Sequence, residues 1–150
     1  MAPAALRAQA IRLLARREYA RSELLQKLLA KGATPDVANL VLDELSAQGY
    51  LSDARYARVT VAQKSRAFGR RRIAQALTAK GVAREAIETA LTEAAIDEAA
   101  ALRALWQRRF GRAPVDPREK ARQVRFLQAR GFALSAILRL LGEGMEPGPD

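Results

Sequence analysis

A short motif, a basic residue followed by glycine, recurs three times along the chain, at Lys31-Gly32, Lys80-Gly81 and Arg130-Gly131. The three glycines are separated by 49 and 50 residues, and aligning them also superposes a leucine four positions earlier and a leucine ten positions later. Glycine closes a helix readily because it adopts the left-handed conformation, and a cation there faces the negative end of the helix dipole. We therefore interpret each motif as a helix C-cap within a repeat, and not as a phosphate-binding loop.

The apolar pattern predicts helices throughout, because apolar residues recur three and four positions apart and Gly and Pro fall between these runs. The stretch 58–62 would also fit a strand, but no partner strand is visible, so a helix is predicted there. The predicted fold is all-α, with three tandem three-helix repeats of about 50 residues, at 5–50, 51–96 and 97–142, and a flexible tail at 143–150. Because units this small stabilise one another in series, we expect an elongated, curved, solenoid-like arrangement.

Residues that cap helices mark several of the predicted starts. Thr34, Ser52 and Asp116 each stand where a side-chain oxygen would accept a hydrogen bond at an N-cap, and another helix is expected to start after Ser22. The last helix is predicted over Leu134 to Leu141. Two buried stripes follow from the spacing, one of Val37, Leu40, Val41 and Leu45 and one of Ala99, Leu102, Trp106 and Phe110.

The composition excludes most catalytic chemistry. The chain has no Cys and no His among its 150 residues, which removes disulfides, thiol and Ser-His nucleophiles and most transition-metal sites. We therefore expect no enzyme, no metal and no cofactor. Its apolar stretches are short and no secretory segment is visible at the N-terminus, so we expect a cytoplasmic protein without a membrane span.

The whole chain has a net charge of +10, and its positive charge is concentrated in the middle. Between Asp53 and Glu85 there is no acidic residue, while nine Lys and Arg residues occur. Five of these nine form what we call the basic cluster: Lys64, Arg66, Arg70, Arg71 and Arg72. Such a cluster repels itself unless a polyanion or an acidic protein surface supplies counter-charge. Backbone amides at the start of the helix that holds Arg70, Arg71 and Arg72 would add to the attraction for phosphate.

A second basic region, which we call the arginine strip, consists of Arg118, Arg122 and Arg125. These residues share one side of a predicted helix, opposite Ala121, Val124 and Leu127. An ordinary solvated helix face explains the strip equally well. Phe68, next to the basic cluster, could stack on a base, although packing against the following helix is the simpler role.

Three segments resemble the RecX family, bacterial regulators of the RecA recombinase. They are the run Ala10 to Leu24, the run Gly49 to Ala57, and Gly69-Arg70-Arg71-Arg72-Ile73 leading to Leu77 and Lys80-Gly81-Val82. The resemblance covers about residues 5–142, and the three segments occur in the family's order. One departure is Arg70, where many relatives have proline directly after the glycine. That difference makes the site more basic.

The resemblance implies a non-enzymatic modulator that binds RecA, above all the RecA filament on single-stranded DNA, in the groove of that filament. Binding there would inhibit ATP hydrolysis, strand exchange and the co-protease activity of the SOS response. The family does not assign contact residues, so the expected sites, the basic cluster and secondarily the arginine strip, come from charge alone. They would contact DNA phosphate without sequence specificity, RecA carboxylates, or both. We expect a monomer.

Two other functions fit parts of the pattern. In a helix-turn-helix transcriptional regulator, the helix that begins at Gly69 would read a major groove. Arginines without neighbouring Asn, and with little Gln, favour contacts to the DNA backbone over contacts to base edges. A basic amphipathic membrane binder is disfavoured because the apolar faces are needed inside the helical bundles.

Overall fold

A computed structural model describes residues 2–145. Within this range the chain forms nine helices and no strand: α1 Pro3–Arg16, α2 Arg21–Ala30, α3 Pro35–Ala47, α4 Asp53–Lys64, α5 Arg70–Ala79, α6 Arg84–Glu93, α7 Glu98–Arg109, α8 Pro117–Ala129 and α9 Leu134–Met145. The all-α prediction is confirmed, including the helix over 58–62. Over the described range, every helix is too short or too polar to span a bilayer.

The local signals for helix ends are confirmed. Gly32, Gly81 and Gly131 follow α2, α5 and α8 with φ of 96°, 78° and 94°, the left-handed conformation expected of a glycine cap. The side chains of Thr34, Ser52 and Asp116 each accept a hydrogen bond from the amide three residues later, at 3.4, 3.1 and 2.7 Å. These side chains satisfy amides that have no partner inside the helix.

Two helix boundaries differ from the prediction. Helix α2 begins at Arg21, before Ser22, because the Glu23 carboxylate accepts a hydrogen bond from the Ala20 amide at 3.0 Å and closes the N-terminus from inside the helix. Helix α9 continues past Leu141 to Met145, into the segment predicted as a tail. The rest of that predicted tail, 146–150, lies outside the described residues.

The helices pack into two compact units, Met1–Thr60 with Leu77–Ala90 (unit 1) and Val61–Ala76 with Leu91–Asp150 (unit 2). Division by packing differs from division by sequence repeat, because α4, α5 and α6 each contribute residues to both units. The repeat boundaries stay predictions from the sequence pattern.

The core of unit 1 lies between α1, α2 and α3. Its buried side chains are Leu6, Ala10, Tyr19, Leu24, Leu28, Ala38, Val41, Leu42, Leu45 and Leu51. The expectation that Leu40 is buried was wrong, since its side chain is 55% exposed. The buried face of α3 is set by Ala38, Val41, Leu42 and Leu45, and Leu40 points away from that face.

Unit 1 also explains why the segment 49–57 carries its particular polar residues. The Asp53 carboxylate accepts a hydrogen bond from the Arg21 amide at 2.8 Å. The Arg55 guanidinium pairs with Glu18 and donates to the carbonyls of Gly49 and Tyr50 at 3.1 and 3.0 Å. These contacts fasten the start of α4 to the turn between α1 and α2.

Glu23 is the second polar anchor of unit 1. Its carboxylate lies 3.3 Å from Arg17 and 3.3 Å from Lys80. Burial opposes ionisation of this carboxyl, but the hydrogen bond from the Ala20 amide and the two cations outweigh burial and lower the pKa of Glu23. Glu23 therefore stays ionised and ties the turn after α5 to α2.

The core of unit 2 is formed by α7, α8, α9 and the turn before α9. Its buried side chains are Leu102, Leu105, Trp106, Leu127, Phe132, Ile137, Leu140 and Leu141. The packing role predicted for Trp106 is confirmed, and its indole N–H donates to the buried Gln123 side chain at 2.9 Å. The predicted stripe was wrong at Ala99, which is exposed at the first turn of α7, and Phe110 is only half-buried.

Candidate polyanion-binding site

The basic cluster lies entirely in unit 2, and all five of its side chains are exposed. Lys64 ends α4, Arg66 stands in the loop 65–69, and Arg70–Arg72 form the first turn of α5. Among the described residues, none of these five side chains has a carboxylate within ion-pair distance. The cluster is therefore an unneutralised concentration of positive charge, open to solvent.

The flanks of the acid-free stretch behave differently. Arg55 pairs with Glu18, Lys80 with Glu23, and Arg84 with Glu88. Folding thus brings Glu18 and Glu23 from unit 1 to cations on both sides of the basic cluster, and Glu88 pairs with Arg84 from the next turn of the same helix. In the described part of the chain, none of the ion pairs involves the side chains at the centre, so these cations remain available to a ligand.

The loop 65–69 is held in place by the turn between α8 and α9 and by α7. The Gly69 amide donates to the Arg130 carbonyl at 2.7 Å, and the Arg130 side chain donates to the Ala67 carbonyl at 3.3 Å. The Arg108 side chain donates to the Arg66 carbonyl at 3.2 Å. The loop that carries Arg66 and joins the other four members of the basic cluster is therefore fixed before any ligand binds.

Close backbone contact explains the glycine at position 69. A Cβ atom there would lie 2.4 Å from the carbonyl oxygen of Gly131 and 2.9 Å from the Glu98 carboxylate. Both distances are shorter than real Cβ contacts allow, and the first partner is backbone. Only glycine lets this loop approach the turn after α8 so closely.

The expected role of the α5 backbone amides was wrong for Arg70. Its amide donates to the Glu98 carboxylate at 2.9 Å, so this position is already capped by an acid and is not open to phosphate. Glu98 lies at the start of α7, 28 residues away in the sequence. The acid-free run around Arg70 gave no sign of it, because the tertiary fold brings the two together.

The rings of three phenylalanines lie among the cations of unit 2. Phe68 has Lys64 Nζ at 5.4 Å, the Arg72 guanidinium at 5.9 Å and the Arg130 guanidinium at 5.0 Å from its centroid. These distances are typical of cation–π contacts. Phe68 therefore brings together two members of the basic cluster and an arginine from the turn after α8.

The same arrangement continues from Arg130 along α7 and α8. Arg130 also lies 5.0 Å from the Phe126 centroid, and Arg109 lies 5.1 Å from Phe126 and 5.3 Å from Phe110. The Phe110 and Phe126 rings meet edge to face, with centroids 5.5 Å apart. Arg122 is 5.9 Å from Phe110. We call this alternating set the aromatic ladder: Phe68, Phe110, Phe126, Lys64, Arg72, Arg109, Arg122 and Arg130.

The eight residues chosen from the charge pattern all lie in unit 2, but only some of them meet. Lys64, Arg72 and Arg122 belong to the aromatic ladder. Arg118 and Arg125 are exposed on α8, and none of the described ring contacts involves them. Their assignment to the site stays a prediction.

Sequence reasoning missed Arg109, Arg130, Phe110 and Phe126 as members of a site. The available signal was the pair of Arg-Phe doublets at 109–110 and 125–126, because arginine beside an aromatic residue is typical of nucleic-acid surfaces. No such doublet marks Arg130, and no sequence pattern indicates that it meets Phe68, since the two are 62 residues apart.

Comparison with known families identifies three domains in the chain. Models of the first, second and third three-helix domains of RecX match residues 7–45, 52–91 and 96–141. The three tandem helical domains predicted from the repeated motif are thereby confirmed.

Curated relatives named Regulatory protein RecX are similar over almost the whole chain. The protein of Pseudomonas fluorescens is 45% identical over 145 residues, which cover 95% of this chain and 94% of the relative. That of Pseudomonas savastanoi pv. phaseolicola is 47% identical over 141 residues, 93% of this chain and 91% of the relative. The protein of Chromobacterium violaceum is 43% identical over 141 residues, which cover 94% of this chain and 91% of the relative.

Two solved structures share the fold. A crystal structure of regulatory protein RecX superposes with a TM-score of 0.82 at 22% identity, covering 94% of this chain and 73% of that one. The crystal structure of RecX from Lactobacillus salivarius gives a TM-score of 0.74 at 19% identity, covering 94% and 95%. At these identities the likeness concerns the fold alone.

Proposed function

This chain belongs to the RecX family of regulatory proteins, and we propose that it is a negative modulator of the RecA recombinase in the bacterial cytoplasm. It binds the filament that RecA forms on single-stranded DNA, lies in the groove of that filament, and inhibits ATP hydrolysis, strand exchange and co-protease activity. It acts by binding, without catalysis and without a cofactor.

The observation that carries this proposal is the unneutralised basic cluster, which lies on a fixed loop and on the ends of the two helices that the loop joins. Five cations lie within the nine residues 64–72, all exposed and without a carboxylate partner in the described part of the chain. A RecA filament on DNA offers a long track of phosphates, and protein carboxylates beside them. Positive charge on a fixed loop and the adjoining helix ends is attracted to such a track without the cost of ordering that segment.

The test is the rate of ATP hydrolysis by RecA on single-stranded DNA, measured with increasing amounts of this protein. The wild-type chain should inhibit at amounts comparable to RecA. The triple variant Arg70→Ala, Arg71→Ala, Arg72→Ala should require at least about tenfold more protein, as expected when several charge-assisted contacts are lost. No inhibition by the wild-type chain at a large excess would overturn the proposal.

A matched control separates the cluster from net charge. The triple variant Arg12→Ala, Arg16→Ala, Lys31→Ala removes the same three charges from exposed positions of unit 1. It should inhibit RecA like the wild-type chain. Equal loss in both triple variants would show that net charge alone matters and would remove the basic cluster from the proposal.

Duplexes of varied sequence distinguish this function from that of a transcriptional regulator. Backbone contacts predict little difference in affinity between duplexes, whereas a recognition helix predicts a large specificity ratio. A strong preference for one duplex sequence would favour the regulator.

A further inference from the structure

We infer that the aromatic ladder of unit 2 binds single-stranded nucleic acid directly, by stacking unpaired bases on its rings and guanidinium planes. The inference rests on the proposed function, which it deepens by assigning a DNA contact that needs no RecA. It also extends the site beyond the basic cluster to Phe110, Phe126, Arg109 and Arg130.

The first argument is chemical. A base has a flat π-face that stacks on a phenylalanine ring or on a guanidinium plane, and the adjoining phosphate is attracted to a neighbouring cation. The ladder offers both partners in alternation, with each ring centroid between 5.0 and 5.9 Å from at least two cations. All three phenylalanines are half-buried residues, so each is anchored in the fold and keeps part of its surface open to solvent.

The second argument is a contrast with the cation–π pair of unit 1. There the Arg17 guanidinium lies 3.6 Å from the Tyr19 centroid, but Tyr19 is only 6% exposed and Arg17 also pairs with Glu23. The Tyr19 ring is therefore inaccessible to a ligand and the Arg17 charge is neutralised, as expected of a structural contact. In the ladder the described ion pairs include only one carboxylate, Glu119, which is 4.0 Å from Arg122.

The third argument is preorganisation. Arg130 lies 5.0 Å from both Phe68 and Phe126, and its main chain and side chain also bind the loop 65–69. One residue therefore fixes the spacing of two rings and the loop that carries one of them. Binding of a ligand to this surface therefore avoids the free-energy cost of ordering its side chains and loop.

The geometry also selects the strand state of the ligand. A base in a duplex keeps both faces stacked on its neighbours, so a duplex meets the ladder only through its phosphates. A single strand can present base faces and phosphates together. Unit 2 is therefore expected to prefer single-stranded over duplex DNA of equal length, independently of sequence.

The experiment measures binding of the full chain, without RecA, to a fluorescently labelled oligothymidylate of about 12 nucleotides, within the range of known single-strand sites. Phe68→Leu and Phe126→Leu should each weaken binding by about 5- to 150-fold. The dependence of affinity on salt should stay unchanged, because no phosphate contact is lost. An abasic oligomer of the same length should bind these variants and the wild-type chain equally.

The control is Tyr50→Leu, which removes an aromatic ring that is 46% exposed and has Arg7 at 5.8 Å, but lies in unit 1. Its affinity should stay within about twofold of the wild-type value, as for a surface change outside the site. Phe126→Tyr keeps a stacking ring and should also retain binding. The inference is overturned if Phe68→Leu and Phe126→Leu bind oligothymidylate like the wild-type chain, or if they lose affinity equally for the abasic oligomer.

Should a leucine variant fail to fold, Arg109→Ala gives the same decision, because this side chain is exposed on α7. It should weaken binding and reduce the salt slope on a single strand by about 0.7. Unchanged affinity and slope would count against the ladder.

The inference and the proposed function fail in different ways. A wild-type chain that inhibits RecA but does not bind oligothymidylate alone would overturn the inference and leave the proposed function standing. A chain that binds oligothymidylate through the aromatic ladder but leaves RecA's ATP hydrolysis unchanged would overturn the proposed function and leave the DNA contact standing.

Discussion

Replacement of Gly69 by alanine would place a methyl group against the backbone of Gly131. The added Cβ would lie 2.4 Å from the carbonyl oxygen and 2.6 Å from the carbonyl carbon of Gly131. Neither atom can rotate aside, so the loop 65–69 must move away from the turn after α8. Overpacking of this kind costs about 1–3 kcal/mol.

Movement of the loop also breaks the 2.7 Å hydrogen bond from the Gly69 amide to the Arg130 carbonyl, at a cost of about 0.5–1.5 kcal/mol. Alanine also lowers the conformational entropy of the unfolded chain, which stabilises the folded state by about 0.4–1 kcal/mol. The net loss in the free energy of unfolding is about 2 kcal/mol, which lowers Tm by about 4–8 °C in a chain of this size.

Thermal unfolding followed by circular dichroism measures the effect, and Gly142→Ala is the control. Gly142 lies in α9 with no atom within 4 Å of its added Cβ. The same chemical change should therefore stabilise the protein there, by about 0.5–1 kcal/mol. A Gly69→Ala variant whose Tm equals or exceeds the wild-type Tm would refute the close-contact argument for the loop.

Three further outcomes follow from individual contacts. The pKa of Glu23 is lowered in the folded chain, so its carboxylate stabilises the fold above the ordinary pKa, and this stabilisation is lost as pH falls through the lowered pKa. The Tm of the wild-type chain should therefore fall more than the Tm of Glu23→Gln between about pH 6 and pH 3. An equal fall in Tm for the two proteins would contradict this. Gln123→Ala leaves the buried Trp106 indole N–H without a partner and should cost about 1–3 kcal/mol in urea unfolding, whereas Gln128→Ala, exposed on the same helix, should be nearly neutral. Glu98→Gln keeps an oxygen that accepts from the Arg70 amide but removes a negative charge beside the basic cluster. In fluorescence anisotropy at low salt, this variant should bind oligothymidylate more tightly than the wild-type chain. Weaker binding by a folded variant would contradict that.

Local signals explain why the helices could be predicted from the sequence. Thr34, Ser52 and Asp116 act on amides three residues away, and the three cap glycines act on their own backbone conformation. Such interactions need no knowledge of the rest of the fold. The apolar period likewise identifies a helix, but it leaves the exact buried face open by about one residue position, which is why Leu40 and Ala99 were misplaced.

The candidate site was only partly predictable, for the opposite reason. Charge along the chain identified the basic cluster, because five cations in nine residues are a local feature. The cap that Glu98 places on Arg70 and the contact between Phe68 and Arg130 join residues far apart in the sequence. Only packing within unit 2 brings these groups together, and a single sequence holds no record of which distant residues meet.

The most direct test of the central claim is the salt dependence of binding to a preformed RecA filament on single-stranded DNA. If Arg70, Arg71 and Arg72 each touch a phosphate, their triple alanine variant should bind more weakly than the wild-type chain, with a log-affinity against log-salt slope that is flatter by about two units. The Arg12, Arg16, Lys31 triple variant should keep the wild-type affinity and slope. Weaker binding with an unchanged slope would place the contacts on RecA carboxylates, and a basic-cluster variant that binds like the wild-type chain would contradict the account.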